Sequence, residues 1–249
     1  MLRLVLGPLL NAAGILAGGI GGLTRTKPLP PSAESGFRIL LGVFTVFYGL
    51  RLTWVSLNGT GWQIPKQLLI AVLALMLGKL AGRALGLQRF SNRLGRGASS
   101  RIKSARPGAP VSAGAGFETC AALFCAAPLG LLGAVQDGLS GYFYPLVIKA
   151  VMDGLAAMGF VSLFGGGVIL SLIPVLAFQG TVSLACAQYV GPFLEAHSSG
   201  GHELINAVNA TGGLLVFSVA LVILELKKVE LADYLPSLLF APAIAWIWR

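Results

Sequence analysis

Runs of about twenty apolar residues recur from one end of this 249-residue chain to the other. That is the length a helix needs to cross the roughly 30 Å hydrocarbon core of a bilayer. Hydropathy marks eight such candidate spans, at about 2–23, 37–57, 67–87, 115–135, 144–163, 166–190, 204–224 and 235–248. The last is short for a crossing and is expected to be tilted or re-entrant. Composition agrees: 11% of the residues are charged, against about 25% in a soluble domain, and the mean hydropathy is +0.81. The expected fold is therefore all-α, a polytopic transmembrane helix bundle of about 7–8 spans.

Three prolines, Pro128, Pro174 and Pro242, fall inside spans and predict kinks or breaks there. Glycines recur every fourth residue at Gly14, Gly18 and Gly22 and again at Gly78, Gly82 and Gly86, each set stacked on one helix face. Such faces let another backbone come close, so helix packing is the expected role. Cys120, Cys125 and Cys186 lie in apolar runs without CxxC spacing, so neither a disulfide framework nor a zinc site is expected. The apolar N-terminal run continues to Leu23 and contains Asn11, which fits a retained first helix better than a signal peptide.

Lysine and arginine set the orientation. The stretch "GKLAGRALGLQRFSNRLGRGASSRIKSARPG" holds eight basic residues and no acidic one. "TRTKPLPPSAESGFR" and "ELKKVELAD" also carry lysine or arginine, the second beside three acidic residues. With eight spans and both termini outside, all three connections face the cytoplasm, as the positive-inside pattern requires. The net charge of +9 then reports topology. No nucleic-acid role is expected, because only one aromatic residue, Phe90, lies among the eight basic ones. The chain divides as residues 1–90 with the first three spans, a basic loop at 91–112, and residues 113–249 with the remainder, all one membrane domain.

Weak echoes link the two halves. "PLLNAAGILAGGIGG" resembles "AVMDGLAAMGFVSLFGGG" and sets Asn11 opposite Asp153. "VFYGLRLTW" pairs with "AFQGTVSLA", "KQLLIAV" with "HELINAV", and "ETCAALFCAAP" with "DYLPSLLFAP". These arrange as two four-helix repeats about an axis along the membrane normal, the kind of architecture in which a transporter's site lies where repeats meet.

An ionisable group inside the membrane costs about 2.5–3.5 kcal/mol on insertion scales, so Arg51, Lys149 and Asp153 need a reason. Lys149 and Asp153 stand four apart on one helix face, which admits two readings. They neutralise each other, or they form a site, with Asp153 binding a cation or proton and Lys149 meeting an anion. Asn11, Gln179, Asn206 and Asn209 could converge on that face, and Glu203 opens the seventh span. Each buried amide also serves as interhelical glue. Asp137 lies in "QDGLSG", read as an outer turn, and "FGGG" at 164–167 as an inner hinge.

His197 and His202 lie beside Glu195 and Glu203 in a connection. Metal ligation is conceivable in such a set, but a solvated loop is the expected reading, with no metal and no cofactor. No nucleophile elbow, HExxH or Walker A motif is present, and "LGKLAG" lacks the upstream glycine and the following Ser/Thr. An enzyme is not expected, and no catalytic residue is assigned.

Several segments, "LLNAAGILAGGIGG", "QDGLSG", "KAVMDG", "AFQGTVSLAC", "NATGGLLVFSVAL" and "YLPSLLFAP", resemble in this order the YqgA/YdfK-like bacterial inner-membrane proteins, a family of unknown function (domain of unknown function 554). The resemblance implies a multi-pass protein of the bacterial inner membrane and no particular activity. Asp233 departs from it, standing in "LADYLP" where the resemblance leads one to expect an amide. The expected function is a small-solute or ion transporter with Asp153, Lys149, Gln179 and Asn11 on the path, and Glu203, Asn206 and Asp137 as further candidates. The alternative is a non-transporting scaffold or sensor whose polar residues only pack helices. The expected partners are the lipid bilayer and a small solute or ion, and oligomers are compatible with the sequence.

Overall fold

The computed structural model describes residues 5–24, 30–57, 61–104, 113–198 and 202–248, and among them every regular element is helical. The helices are α1 (Leu6–Thr24), α2 (Pro31–Ser56), α3 (Gln63–Leu85), α4 (Leu87–Ser104), α5 (Ala113–Ala126), α6 (Pro128–Ser140), α7 (Tyr144–Phe164), α8 (Leu172–Ala185), α9 (Gly191–Ala196), α10 (Glu203–Ile223), α11 (Leu231–Tyr234) and α12 (Ser237–Ile247). Four stretches, Leu6–Thr24, Ser32–Ser56, Gln63–Leu85 and Glu203–Ile223, are long and apolar enough to cross a membrane. So is the 53-residue stretch Tyr144–Ala196, and a bent pair, Gly114–Ala126 with Pro128–Ser140, qualifies when taken together.

Two expected spans take a different form. The fourth does not run straight through 115–135, because its two pieces meet at 61°. Ala127 is extended (φ −68°, ψ 120°) and Pro128 opens α6. A proline disfavours helix at the residue before it and has no N–H to continue the ladder. Ser91 Oγ donates to the Ala126 carbonyl freed at that break, at 3.3 Å. The stretch Tyr144–Ala196 would measure about 80 Å if straight, far beyond one bilayer core. It is divided at Gly165, whose φ of 68° and ψ of −164° only glycine adopts readily. A 3-10 segment, Gly165–Ser171, leads into α8, with Pro174 accommodated in its first turn. Pro242, expected to kink or break the last span, lies inside α12 without ending it. Much of the basic connection is helical, as α4, and 105–112 lies outside the described residues.

The chain forms two compact units, each assembled from both ends of the sequence. The first comprises Met1–Glu34, Arg89–Asp137 and Gly141–Leu184. In it α1 and α7 lie side by side and parallel. Gly14 meets the Ala150 backbone, Gly18 the Gly154 backbone and Gly22 the Met158 backbone, so the contacts climb together along both helices. A methyl group at Gly22 would lie 2.5 Å from the Met158 carbonyl oxygen. The glycine stripe of the first helix is thus a backbone-to-backbone contact, as its spacing implies. Below the polar residues of this unit, Ile15, Cys120, Phe124, Ala157, Val161, Phe164, Val168 and Val175 form a buried apolar cluster.

The second unit comprises Ser35–Gln88, Gly138–Ser140 and Ala185–Arg249. Here α2 runs antiparallel to α10, with Gly42 on Leu224 and Gly49 on Gly213 and Phe217. Thr53 Oγ1 adds a 3.3 Å bond to the Ala210 carbonyl. Likewise α3 is antiparallel to α11 and α12, with Gly78 against Ser237 and Gly82 against the Asp233 backbone. Asp233 is buried and accepts the Gln88 N–H at 2.8 Å, while Gln88 Oε1 accepts the Ala232 N–H at 3.0 Å. This reciprocal clamp gives the departing carboxylate in "LADYLP" its structural role.

Candidate functional site

The close approach of α1 and α7 fixes which polar side chains can meet. Asn11 lies three residues before Gly14 on α1, and Lys149 and Asp153 bracket Ala150 on α7. All are buried in the first unit. Lys149 Nζ donates to Asp153 Oδ2, the i,i+4 pair read from the sequence. Asn11 Nδ2 donates to the same carboxylate oxygen at 3.2 Å and to Gln179 Oε1 at 3.1 Å. Three helices, α1, α7 and α8, therefore supply one hydrogen-bonded cluster, and Lys149 and Gln179 are 1% and 0% exposed. A fourth helix closes it: a methyl at Gly130 of α6 would lie 2.9 Å from Lys149 Cε and 3.0 Å from Gln179 Nε2. The aliphatic stem of Lys149 runs past Phe124, whose ring centre is 5.9 Å from Nζ.

A second polar layer stands one helical turn away. Gly7 and Ser183 sit four residues from Asn11 and Gln179, on the same faces of α1 and α8. Both hold Asp137, which accepts the Gly7 N–H at 3.3 Å and the Ser183 hydroxyl at 2.7 Å. Gly7 is in the first turn of α1, where backbone N–H groups lack helical partners and favour an anion. These levels also show that the chain has reversed between α7 and α8, since Gln179 is level with Asp153 and Ser183 with Asp137. Asp137, expected in an outer turn, instead lies in the last turn of α6, capped by Gly141 at φ 66°.

The other candidates stay apart from this cluster. Glu203 is exposed in the first turn of α10 and Asn206 is half-buried one turn on. Asn209, a buried residue of the second unit, pairs with Ser140 at 3.4 Å. Arg51 is exposed on α2. His202 Nδ1 lies 3.2 Å from Glu195 Oε1, and both side chains are largely exposed. Sequence reasoning missed Ser183, although its i,i+4 relation to Gln179 carried the signal. It also missed Gly130 and Phe124, which no local pattern distinguishes from ordinary helix residues.

Two charges, two amides and a broken helix thus surround one buried locus, an arrangement suited to binding and exchange of polar groups. A family profile described as "Protein of unknown function (DUF554)" matches residues 6–246. The chain is similar to the "Uncharacterized membrane protein YdfK" of Bacillus subtilis (strain 168), 26% identical over 242 residues that cover 97% of this chain and 96% of the relative. It is also similar to the "Uncharacterized protein YqgA" of Escherichia coli (strain K12), 28% identical over 246 residues, 98% of each chain. No solved structure matches.

Proposed function

We propose that this chain, a membrane protein that belongs to the DUF554 family, is a permease for a small solute or ion. The observation that carries the reading is the convergence of Asn11, Lys149, Asp153 and Gln179 beside the α5–α6 break. Four buried polar side chains are costly in a bilayer, and a buried charged pair is more than interhelical glue requires. Discontinuous helices beside a midplane polar site are a recurrent transporter device, since a half-helix end offers backbone groups to a solute. On this reading the chain lies in a bacterial cytoplasmic membrane, does no covalent chemistry, and opens its closed cluster to one side at a time.

The i,i+4 pairing of Lys149 with Asp153 favours a second reading, a scaffold or sensor in which the pair is self-neutralised. One experiment separates the two. Asp153→Asn or Lys149→Met strands a buried charge and should cost about 3–5 kcal/mol of stability. The double variant removes both charges and should regain most of that loss. A permease then stays inactive, read as an unchanged defect in cellular solute and ion content relative to cells lacking the protein. A double variant that is stable and restores normal content would overturn the permease reading.

A further inference from the structure

Within the buried cluster, donors and acceptors are arranged by sign. Asn11 must turn its amide NH2 towards Asp153, because its carbonyl would repel the carboxylate. That NH2 also reaches Gln179 Oε1, which fixes the second amide. Two polar atoms then remain without a hydrogen-bond partner among the described residues, Asn11 Oδ1 and Gln179 Nε2, on side chains that are wholly buried. One is an acceptor and the other a donor. Burial of such groups unpaired costs about 1–3 kcal/mol each, so a polar partner bound between them would stabilise both.

The two open atoms extend two poles. Gln179 Nε2 and the stem of Lys149 both lie against Gly130, in the first turn of the 13-residue α6. A helix N-terminus carries partial positive charge, so ammonium, amide N–H and helix end form a cationic pole. Asp153 and the Asn11 carbonyl form the anionic pole beside it. The cluster is neutral as a whole. A simple anion or cation would therefore leave one buried charge uncompensated, whereas a solute carrying both charges compensates both.

We infer that the permease substrate is a small zwitterion, with a carboxylate received by Lys149 and Gln179 beside the start of α6, and an ammonium received by Asp153 and Asn11. The inference rests on the permease reading and names its substrate class. Binding separates Lys149 from Asp153 and gives each a partner of opposite charge from the solute, so no net charge is buried at any stage.

The purified full chain in detergent is heated with glycine, β-alanine or 4-aminobutyrate, three zwitterions of increasing charge separation. Acetate and methylamine serve as the separate halves. At least one zwitterion should raise the unfolding midpoint with saturating concentration dependence, and the halves should not. Gln179→Leu should raise the half-saturating concentration about tenfold or more, as loss of a hydrogen bond to a charged group implies. The double variant Lys149→Met, Asp153→Asn should unfold cooperatively and show no response. Stabilisation by acetate or methylamine alone, or no response to any of the three zwitterions, would overturn the substrate class. The permease reading stands or falls separately, on the solute content of cells carrying the double variant.

Discussion

Asp137 shows how one residue couples helix ends to the buried layer. Its carboxylate receives a hydroxyl from α8 and a first-turn N–H from α1, both at the level above the cluster. Asp137→Ala leaves Ser183 and the α1 N-terminus without their acceptor, a loss of about 1–3 kcal/mol. Asp137→Asn keeps an acceptor oxygen and should lose less, while Asp137→Leu should lose at least as much as alanine. Thermal unfolding of the three variants in detergent checks the order. Equal stability of Asp137→Ala and the unaltered chain would mean that this carboxylate does not hold α1 in place. The same reasoning explains Asp233, where a charge in a buried position is matched by the Gln88 backbone.

At the scale of elements, glycine faces decide which helices can be neighbours. Gly18 on α1 and Gly82 on α3 each touch a partner backbone, Gly154 and Asp233 respectively. Leucine at either position would drive the two helices apart, with overpacking costs of about 1–3 kcal/mol or more. Gly36 on α2 meets nothing within 4 Å and serves as the control. Gly18→Leu and Gly82→Leu should lower the extracted folded yield and the unfolding midpoint, and Gly36→Leu should not. A normal midpoint for Gly18→Leu would remove the α1–α7 contact as a determinant of stability. Because that contact sets the height of Asn11 beside Asp153, Gly18→Leu should also abolish any response to zwitterions.

For the whole molecule, each compact unit draws helices from both ends of the chain, so neither sequence half folds its own core. The contact of α1 with α7 spans more than a hundred residues, and α1 has no partner for its glycine face until α7 is made. The residues that the alignment of the two sequence halves sets opposite each other, Asn11 and Asp153, bond to each other. Orientation is a separate expectation, resting on the segregation of basic residues. In a background without native cysteines, Ser198→Cys should react with an impermeant thiol reagent in whole cells and Ser99→Cys should react only after lysis. The opposite pattern would invert the topology.

The sequence by itself determined the class of protein and marked Lys149 and Asp153 as charges that need a reason inside it. Both follow from a cost reckoned residue by residue: about twenty apolar residues per crossing, and a penalty for every charge among them. The i,i+4 pairing of Lys149 and Asp153 was equally legible, because it lies within one helix. Tertiary structure alone decided that Asn11 and Gln179 join this pair while Asn206 and Glu203 do not. That selection depends on the rotation and height of each helix, which the glycine contacts between distant segments set and local hydropathy does not encode. It also decided that the fourth span breaks so that Gly130 lies against Lys149 and Gln179. Pro128 announced a distortion, but the direction of a bend is fixed by what the two halves pack against.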